Sequence, residues 1–401
     1  MTDKVYRYGF DPPYRLEVTP LYAQLRSEEP VARVKLPYGE DGWLVTRHAS
    51  VKAILGDARF QRAPVLAVGE RTPRASPIPL RGNPLSMVDP PEHTRRRQPV
   101  AATLRRQQSE LFQPRAQRIA DELIDGILAA GSPVDVVEGF AFRFPIMSLG
   151  EFFGVPPSDR IKFHEWSIPA RSQTTYTGEQ IEDAYRRMRE YVTALVARKR
   201  EQPDDDVLSE LVHVKGDREF TNEEVVNIAV SLLLNDSVAN QIANCLYLLL
   251  THPDQLAWLR AHMSELPQAV EELLRFAPLS PDTPGGGQGH VRMVSDDVTL
   301  DGATIRAGDF VLPSIISANR DEQVFADAHK LDLTRARCPH IAFGHGYRRC
   351  PGDKVSRMLM QVAMGSLVTR FPDLRLAMPV DDVPWKVGMI TRTPMKLLVQ
   401  W

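Results

Sequence analysis

The residues with the clearest capacity for chemistry lie in the segment 343–352, FGHGYRRCPG. This glycine-rich loop presents one cysteine, Cys350, immediately before a predicted helix. Glycines let the backbone approach a flat cofactor closely, and a helix N-terminus stabilises a nearby anionic sulfur. A lowered thiolate pKa is what a metal ligand needs. A buried inert cysteine and a catalytic nucleophile are the alternatives, although no paired histidine signature accompanies Cys350.

Two other segments contain charged residues at helical spacing. Glu272 and Arg275 stand three positions apart in a predicted helix and share one face, as many ordinary surface ion pairs do. The segment 89–100, DPPEHTRRRQPV, is typical of a Pro-Pro turn that opens a basic helix. His93 and Arg97 lie on one face of that helix. Each segment alone is compatible with a purely structural role.

Taken in order along the chain, these segments resemble the cytochrome P-450 family. Its heme loop has an aromatic residue, Gly three residues later, a basic residue two further on, then Cys and Gly. The matching residues here are Phe343, Gly346, Arg348, Cys350 and Gly352. The resemblance implies that Cys350 is the metal ligand, holding the iron of heme b (iron protoporphyrin IX) as a thiolate. Such a ligand favours O–O cleavage.

The resemblance also assigns roles to the charged residues. It implies that Glu272 and Arg275 form a buried structural network with Arg335, which holds the heme loop in place. The family often has Pro after the Phe in the region before the heme loop, whereas Ala326 follows Phe325 here. Anionic, partly buried propionates suit basic partners. The implied partners of the heme propionates are His93, Arg97, Arg292, His340 and Arg348.

A long apolar helix is predicted from Thr221 to about Leu250, and it departs from the family pattern. Family members usually have Ala-Gly, an acidic residue and Thr there, whereas residues 233–237 read LLNDS. The resemblance implies that Asp236 and Ser237 are catalytic and relay protons for O–O cleavage. A polar kink in a buried helix is the structural alternative. The leucines add bulk where the family keeps small residues.

The resemblance places the substrate pocket among residues 62–88, 228–241, 279–291 and the turn 389–391. The glycine-rich segment 281–290 either lets a backbone or bulky substrate come near the heme or is a surface loop. The expected pocket residues are Leu233, Leu234, Asn235, Met389, Ile390 and Thr391.

Composition excludes several classes of function. The 49 basic and 51 acidic residues give a net charge of −2, which argues against nucleic-acid binding. Three cysteines cannot form a disulfide framework and indicate a reducing cytoplasm. The N-terminus lacks the apolar core of a signal peptide, and no uninterrupted run of about 18 apolar residues exists. We therefore expect a cytoplasmic protein without a membrane span.

The pattern of elements predicts a mainly α protein with a minor β portion, the cytochrome P-450 fold, as a single domain over residues 1–401. Helices are expected at 109–130, 179–200, 253–262, 267–276 and after Gly352. Strands are expected at 31–46, at 297–313 around the Asp301-Gly302 turn, and at 385–401. Residues 60–92 are expected to be loop-like.

The expected function is that of a bacterial natural-product oxidase with a small-molecule substrate. The sequence has no flavin or iron–sulfur motif, so a separate ferredoxin and ferredoxin reductase are expected as partners. Oxidative coupling of aromatic substrates, such as Trp-containing cyclodipeptides (diketopiperazines), is favoured. Hydroxylation or epoxidation by an ordinary monooxygenase is the alternative, and a heme sensor or carrier is a third. We expect a monomer. A basic docking patch, or else a solvated charged face, would comprise Arg95, Arg96, Arg105, Arg106, Arg349 and Lys354.

Overall fold

The computed structural model describes most of the 401 residues, and the chain folds into two compact units. The first unit comprises Met1–Thr94, Ser280–Leu331 and Arg337–Cys350. The second comprises Arg95–Leu279, Asp332–Ala336 and Pro351–Trp401. The described residues are 4–10, 15–75, 85, 87–107, 112–172, 174–216, 219–234, 236–279 and 291–401.

The strands of the described residues are short. They are β1 Val5–Arg7, β2 Val31–Lys35, β3 Gly42–Val45, β4 Phe60–Gln61, β5 Val134–Asp135, β6 Arg292–Val294, β7 Val298–Leu300, β8 Ala303–Ile305, β9 Phe310–Pro313, β10 Arg375–Leu376 and β11 Leu398–Gln400.

The helices account for most of the regular structure. They are α1 Leu21–Glu28, α2 His48–Gly56, α3 Ala63–Ala67, α4 Glu92–Gln107, α5 Phe112–Ala130, α6 Arg143–Phe152, α7 Arg160–Ala170, α8 Gly178–Glu201, α9 Val207–Val212, α10 Asn222–Leu233, α11 Ser237–Thr251, α12 Pro253–Ala261, α13 Leu266–Phe276, α14 Ile315–Ala318 and α15 Asp353–Arg370.

The first unit is built on a six-stranded mixed sheet in the order β1-β2-β3-β9-β6-β4. Strand β3 is antiparallel to β2, with Val45 opposite Val31, and parallel to β9, with Gly42 opposite Phe310. Apolar side chains from both faces of the sheet are buried in two clusters. This burial constrains the register, because a slip by one residue would exchange the side chains that fill each cluster.

The second unit is largely helical. Helix α15 packs against α5, α11 and α13, and α7 packs against α6 and α8. Every residue of α11 from Val238 to Leu250 is buried. The segment Asn222–Thr251 is long and apolar enough to span a membrane by length and composition, but 59% of its best window is buried inside the protein. A buried core helix passes the same test, so this is weak evidence for a membrane span.

Much of the sequence-based prediction is confirmed. The strands at 31–46 are β2 and β3, and the helices at 179–200, 253–262 and 267–276 are α8, α12 and α13. The prediction at 109–130 matches α5, whose described residues begin at Phe112. Asp301 and Gly302, both at positive φ, join β7 to β8. The mainly α fold with a minor β portion is confirmed, whereas a single domain over 1–401 stays a prediction.

Two predictions are wrong in part. The stretch 60–92 contains β4, α3 and the start of α4 rather than loop alone. Within residues 385–401 the structure has one strand, β11, and two isolated bridges, which join Trp385 to Pro394 and Met389 to Ser172. The turn 387–390 instead bonds to the segment that follows α7, since Thr174 N–H donates to Gly388 O at 3.1 Å. Such long-range pairing leaves no periodic signal in the sequence.

Candidate functional site

Cys350 is presented by a loop whose backbone is closed by hydrogen bonds. Its N–H donates to Phe343 O at 2.8 Å, and Gly344 and Gly346 have φ values of +73° and +67°. A Cβ added at Gly346 would lie 2.7 Å from Leu55 O, so this position accepts only glycine without a backbone shift. The loop is therefore fixed against the end of α2, and its cysteine stays half-buried.

The other two cysteines lie in different environments from that of Cys350. Cys245 is buried in α11, where desolvation raises the pKa of its thiol. That environment disfavours the thiolate that a metal requires. Cys338 is half-buried, and none of the three cysteines is in a disulfide. Among the described residues, Cys350 is thus the cysteine held by a glycine-built loop, as the sequence predicts. An added Cβ at Gly352 would meet nothing within 4 Å, so packing against the protein does not require that glycine.

Buried arginines of the first unit form a basic cluster with one carboxylate. The side chains of Arg62 and Arg292 are 2% and 4% exposed. Arg348 donates to Asp89 Oδ1 at 2.5 Å, and the backbone N–H of Arg62 donates to the same carboxylate at 3.0 Å. Burial, and then the neighbouring Arg292 and Arg348, hold the pKa of Arg62 well below its usual range, while Asp89 opposes the shift.

The same cluster lowers the pKa of Arg292 to about 10, chiefly by burial and next by the charge of Arg348. Three guanidinium groups therefore act on one another with a single opposing carboxylate among the named neighbours. Such a surplus of buried positive charge favours an anionic group, because burying charge is costly unless it is compensated. The cluster fits the propionates of a heme. Arg62 was missed by the sequence analysis, since a lone arginine in a loop-like stretch gives no signal before its burial is known.

The remaining predicted propionate partners lie as follows. His93 is 2% exposed, and its ring meets that of Tyr347 edge-on at 5.5 Å. His340 accepts a hydrogen bond at Nδ1 from the Ala342 N–H and lies 6.2 Å from the Phe343 ring. Arg97 is half-buried on α4, one turn after His93. His93, His340 and Phe343 belong to the first unit, whereas Arg97 belongs to the second.

Glu272, Arg275 and Arg335 meet in a buried network of the second unit. Glu272 and Arg275 have fully buried side chains, and Arg335 is 9% exposed. The Glu272 carboxylate accepts from Arg275 Nη2 at 2.7 Å, from Arg335 Nε at 3.0 Å and from the Asp332 N–H at 3.1 Å. The network therefore joins α13 to residues 332–336. It excludes the alternative of an ordinary surface ion pair.

The predicted long helix is interrupted, which corrects the expectation of one helix from Thr221 to Leu250. Helix α10 begins at the predicted capping box of Thr221 and Glu224 but ends at Leu233, and α11 begins at Ser237. Arg171 contacts residues on both sides of the break. Its Nη1 donates to Leu234 O at 3.4 Å, and its Nε lies 2.5 Å from Asp236 Oδ1. One guanidinium thus contacts a carbonyl freed from the helix ladder and pairs with the acid beside it.

Asp236 and Leu233 border a cavity of about 50 Å³ between α6, α7 and the α10–α11 break. The Asp236 side chain is 8% exposed, and Leu234 is buried. Leu233 thus faces the α6–α7 side, and Ser237 is half-buried at the first turn of α11. The predicted pocket residue Asn235 lies outside the described residues, as does the glycine-rich segment 281–290.

The predicted pocket turn 389–391 lies against the same region of the second unit. Ile390 N–H donates to Arg171 O at 3.1 Å, and buried Thr391 accepts from Asn240 Nδ2 at 3.1 Å. Met389 is buried and pairs with Ser172 through an isolated bridge. The structure thus brings the turn, Arg171 and Asp236 together. The sequence analysis missed Arg171, which carries no motif and lies far from Asp236 along the chain.

Part of the predicted basic patch is engaged within the protein. Arg95 and Arg96 both pair with Glu224, and Arg106 pairs with Glu210 at 2.7 Å. Arg105, Arg349 and Lys354 are exposed. These contacts reduce the net positive charge that Arg95, Arg96 and Arg106 could offer to an acidic partner.

A mainly helical chain with a cysteine held in a glycine-built loop and a buried basic cluster for propionates is a heme-thiolate oxidoreductase. The chain belongs to the cytochrome P450 family, whose pattern matches residues 168–399. Members of this family use heme b.

Curated relatives match almost the full length. Nocardicin C N-oxygenase of Nocardia uniformis subsp. tsuyamanensis is 42% identical over 396 residues, which cover 98% of each chain. Mycinamicin IV hydroxylase/epoxidase of Micromonospora griseorubida is 40% identical over 397 residues, again 98% of each. A solved cytochrome P450 with biaryl coupling reactivity is 35% identical and superimposes with a TM-score of 0.91, covering 99% of this chain and 100% of that one. The chain is thus a P450 of bacterial secondary metabolism.

Proposed function

We propose that this P450 oxidises aromatic natural-product precursors and joins or cyclises them by oxidative coupling, with Trp-containing cyclodipeptides (diketopiperazines) as substrates. The observation that carries the oxidase is Asp236, a buried acid at a helix break beside a cavity. A heme sensor or carrier needs no such acid. For coupling, support comes from the leucines at the break and from the similarity to a P450 with biaryl coupling reactivity.

Oxygen insertion is the second candidate, and specific observations favour it. The relatives at 42% and 40% identity are named as an N-oxygenase and as a hydroxylase/epoxidase. An apolar wall that positions an aromatic ring for coupling would equally orient a scaffold for hydroxylation. The two candidate reactions therefore use the same residues. They differ in whether an oxygen atom of O₂ is incorporated into the product.

Different residues of this chain would bind different parts of the cofactor. Bound heme with a thiolate ligand supplies O₂ activation and O–O cleavage. Cys350 would hold the iron, while Arg62, Arg292, Arg348 and His93 would hold the propionates. The buried network around Glu272 would stabilise the region that carries the cofactor.

Proton supply falls to the α10–α11 break. Asp236 would accept a proton at its carboxylate and pass it to the Ser237 hydroxyl, which both donates and accepts. Arg171 would keep the carboxylate in place between transfers. Leu234, which is buried, would exclude water from the apolar side of the break.

Localisation, oligomeric state and redox partner complete the proposed function. We propose a cytoplasmic, monomeric, single-domain protein that receives electrons from a ferredoxin and its reductase. The exposed cations Arg105 and Lys354 of the second unit would contribute to docking.

Turnover under heavy-isotope O₂ separates coupling from oxygen insertion. The enzyme is supplied with a surrogate ferredoxin system and Trp-containing cyclodipeptides, and product masses are measured. A coupled product shows loss of hydrogen and no heavy oxygen. A product that carries one heavy oxygen atom would assign the enzyme to the ordinary monooxygenases.

The assignment of Cys350 is tested by spectroscopy. The reduced protein with carbon monoxide should show the far-shifted Soret band of thiolate ligation, and Cys350→Ser should lose it because a neutral hydroxyl is a much weaker electron donor. Cys338→Ser is the matched control and should keep the band. The reverse result would move the ligand to Cys338.

A further inference from the structure

His164 and Asp236 border the same cavity. The proton supply proposed above does not use His164. The lining of the cavity is otherwise mainly apolar, with Leu149 and Phe153 on one side and Leu233 on the other. Two further polar residues of the lining are already engaged: Arg160 donates to Val155 O, and Ser167 donates to the His164 carbonyl. His164 and Asp236 are, with Arg160, the ionisable residues of the lining, and Asp236 also pairs with Arg171.

The imidazole of His164 is held against protein on one side. Its ring lies 5.3 Å from the ring of Phe142, and its Nδ1 is buried without a hydrogen-bond partner among the described residues. A buried polar atom left without a partner destabilises the protein. The cavity of about 50 Å³ offers water as that partner, since about 10–15 Å³ of such volume holds one molecule.

The charges around His164 come from several elements. Asp236, Glu138 and Glu165 favour the imidazolium, whereas Lys386 and desolvation disfavour it, and desolvation is the largest effect. The pKa of His164 is therefore lowered. The pKa of Lys386 is likewise lowered by burial, with Asp236 opposing and Arg171 adding to the shift. His164 is thus an imidazole that faces both an acid and a cation at the edge of the cavity.

We propose that His164 is a positioning residue for proton supply, exchanging protons between solvent and Asp236 through water in the cavity between α6, α7 and the α10–α11 break. The proposal rests on the proposed role of Asp236. Solvent gives a proton to the neutral imidazole, and the imidazolium releases one through cavity water to the carboxylate. Arg171 stays bound to Asp236 and cannot serve this purpose, because its guanidinium does not lose its proton.

The first measurement follows the imidazole itself. NMR spectra of histidine-labelled, reduced, carbon-monoxide-bound enzyme are recorded against pH, and the His164 signal is assigned by its absence in His164→Phe. We expect a pKa below that of an exposed histidine. Asp236→Asn should lower it further, because the carboxylate favours the imidazolium. An unchanged His164 titration in Asp236→Asn would overturn the link between the two groups.

The second measurement follows reoxidation. Reduced enzyme is mixed with air-saturated buffer across pH 5–8, and the return of the oxidised spectrum and the yield of hydrogen peroxide are recorded. In the wild type the rate should rise as pH falls towards the pKa of His164 and level off below it. His164→Gln and His164→Phe should lose this inflection, with rates lowered several-fold. Ser167→Ala, which alters the same cavity wall, should keep the wild-type profile.

The outcomes separate the two proposals. If Asp236→Asn reoxidises like the wild type at every pH, the proposed role of Asp236 fails. If Asp236→Asn is altered while both His164 variants, each with full heme content, keep the wild-type profile, the inference about His164 fails alone. His164→Gln keeps a hydrogen-bonding side chain, so it distinguishes loss of titration from loss of packing.

Discussion

Two acid–arginine clusters in the second unit differ in how completely their charges are compensated. At Glu272, arginines from two segments and a backbone N–H donate to a carboxylate that is fully buried. At Asp236, one arginine pairs with a carboxylate that borders a cavity. A carboxylate saturated with donors holds structure, because its oxygens are already occupied by hydrogen bonds. A carboxylate beside a cavity is open to a further donor. The degree of compensation therefore distinguishes a structural acid from a chemical one.

The largest expected effect is at the saturated cluster. Glu272→Ala strands Arg275 and Arg335 in the interior, and breaking a buried pair costs about 3–5 kcal/mol. We expect the variant to fold poorly and to lose heme rather than to alter selectivity. Thermal unfolding followed by circular dichroism and heme content per chain are the measurements.

The neighbouring residue provides a matched control for Glu272. Glu271 on the same helix pairs with Arg357 at 2.7 Å, but both side chains are more than 20% exposed. Pairs exposed to solvent contribute about 0.2–1 kcal/mol. Glu271→Ala should therefore keep heme and lose little stability. Equal losses in the two variants would show that burial does not set the difference.

The second expected effect is at the cluster that borders the cavity. Asp236→Asn keeps the shape and a hydrogen-bonding group but cannot carry the proton, so turnover should fall by about 10²–10⁴-fold. Substrate binding, read from the heme spectral shift, should be nearly unchanged. Asp236→Glu retains the acid and should recover part of the rate. A turnover within a few-fold of wild type in Asp236→Asn would place proton delivery elsewhere.

The same contrast explains what the sequence could predict. Glu272 and Arg275 lie one turn apart, and the glycines around Cys350 act within a few residues, so both patterns are visible in the sequence. Arg171 and Asp236, which pair at the break between α10 and α11, lie 65 residues apart in the sequence (236 − 171). Apolar periodicity predicted a continuous helix there, because it carries no information about a guanidinium from another element.

Burial accounts for the other omissions. Arg62 belongs to the basic cluster because its side chain is 2% exposed, a property that its neighbours in sequence do not reveal. His164 was not singled out for the same reason. A lone histidine on a helix is ordinary until a cavity and an acid are found beside it. The sequence thus identified the cofactor loop, whereas charges gathered by tertiary packing required the structure.

The smallest expected effect concerns Ser237, the residue next to Asp236 at the start of α11. Ser237→Ala removes one hydroxyl and leaves the acid. A proton therefore still reaches Asp236, but the hydroxyl that would pass it on is missing. We expect a modest fall in turnover and a rise of a few-fold in hydrogen peroxide per NADPH consumed, because O₂ reduced by two electrons then leaves with two protons as peroxide instead of being cleaved. Ser237→Thr restores the hydroxyl and adds a methyl group. If the hydroxyl is what matters, this variant should produce as little hydrogen peroxide per NADPH as the wild type. Unchanged peroxide in Ser237→Ala would leave Asp236 to act through water alone. Raised peroxide in both variants would instead assign the effect to packing, because threonine keeps the hydrogen-bonding group and changes only the volume.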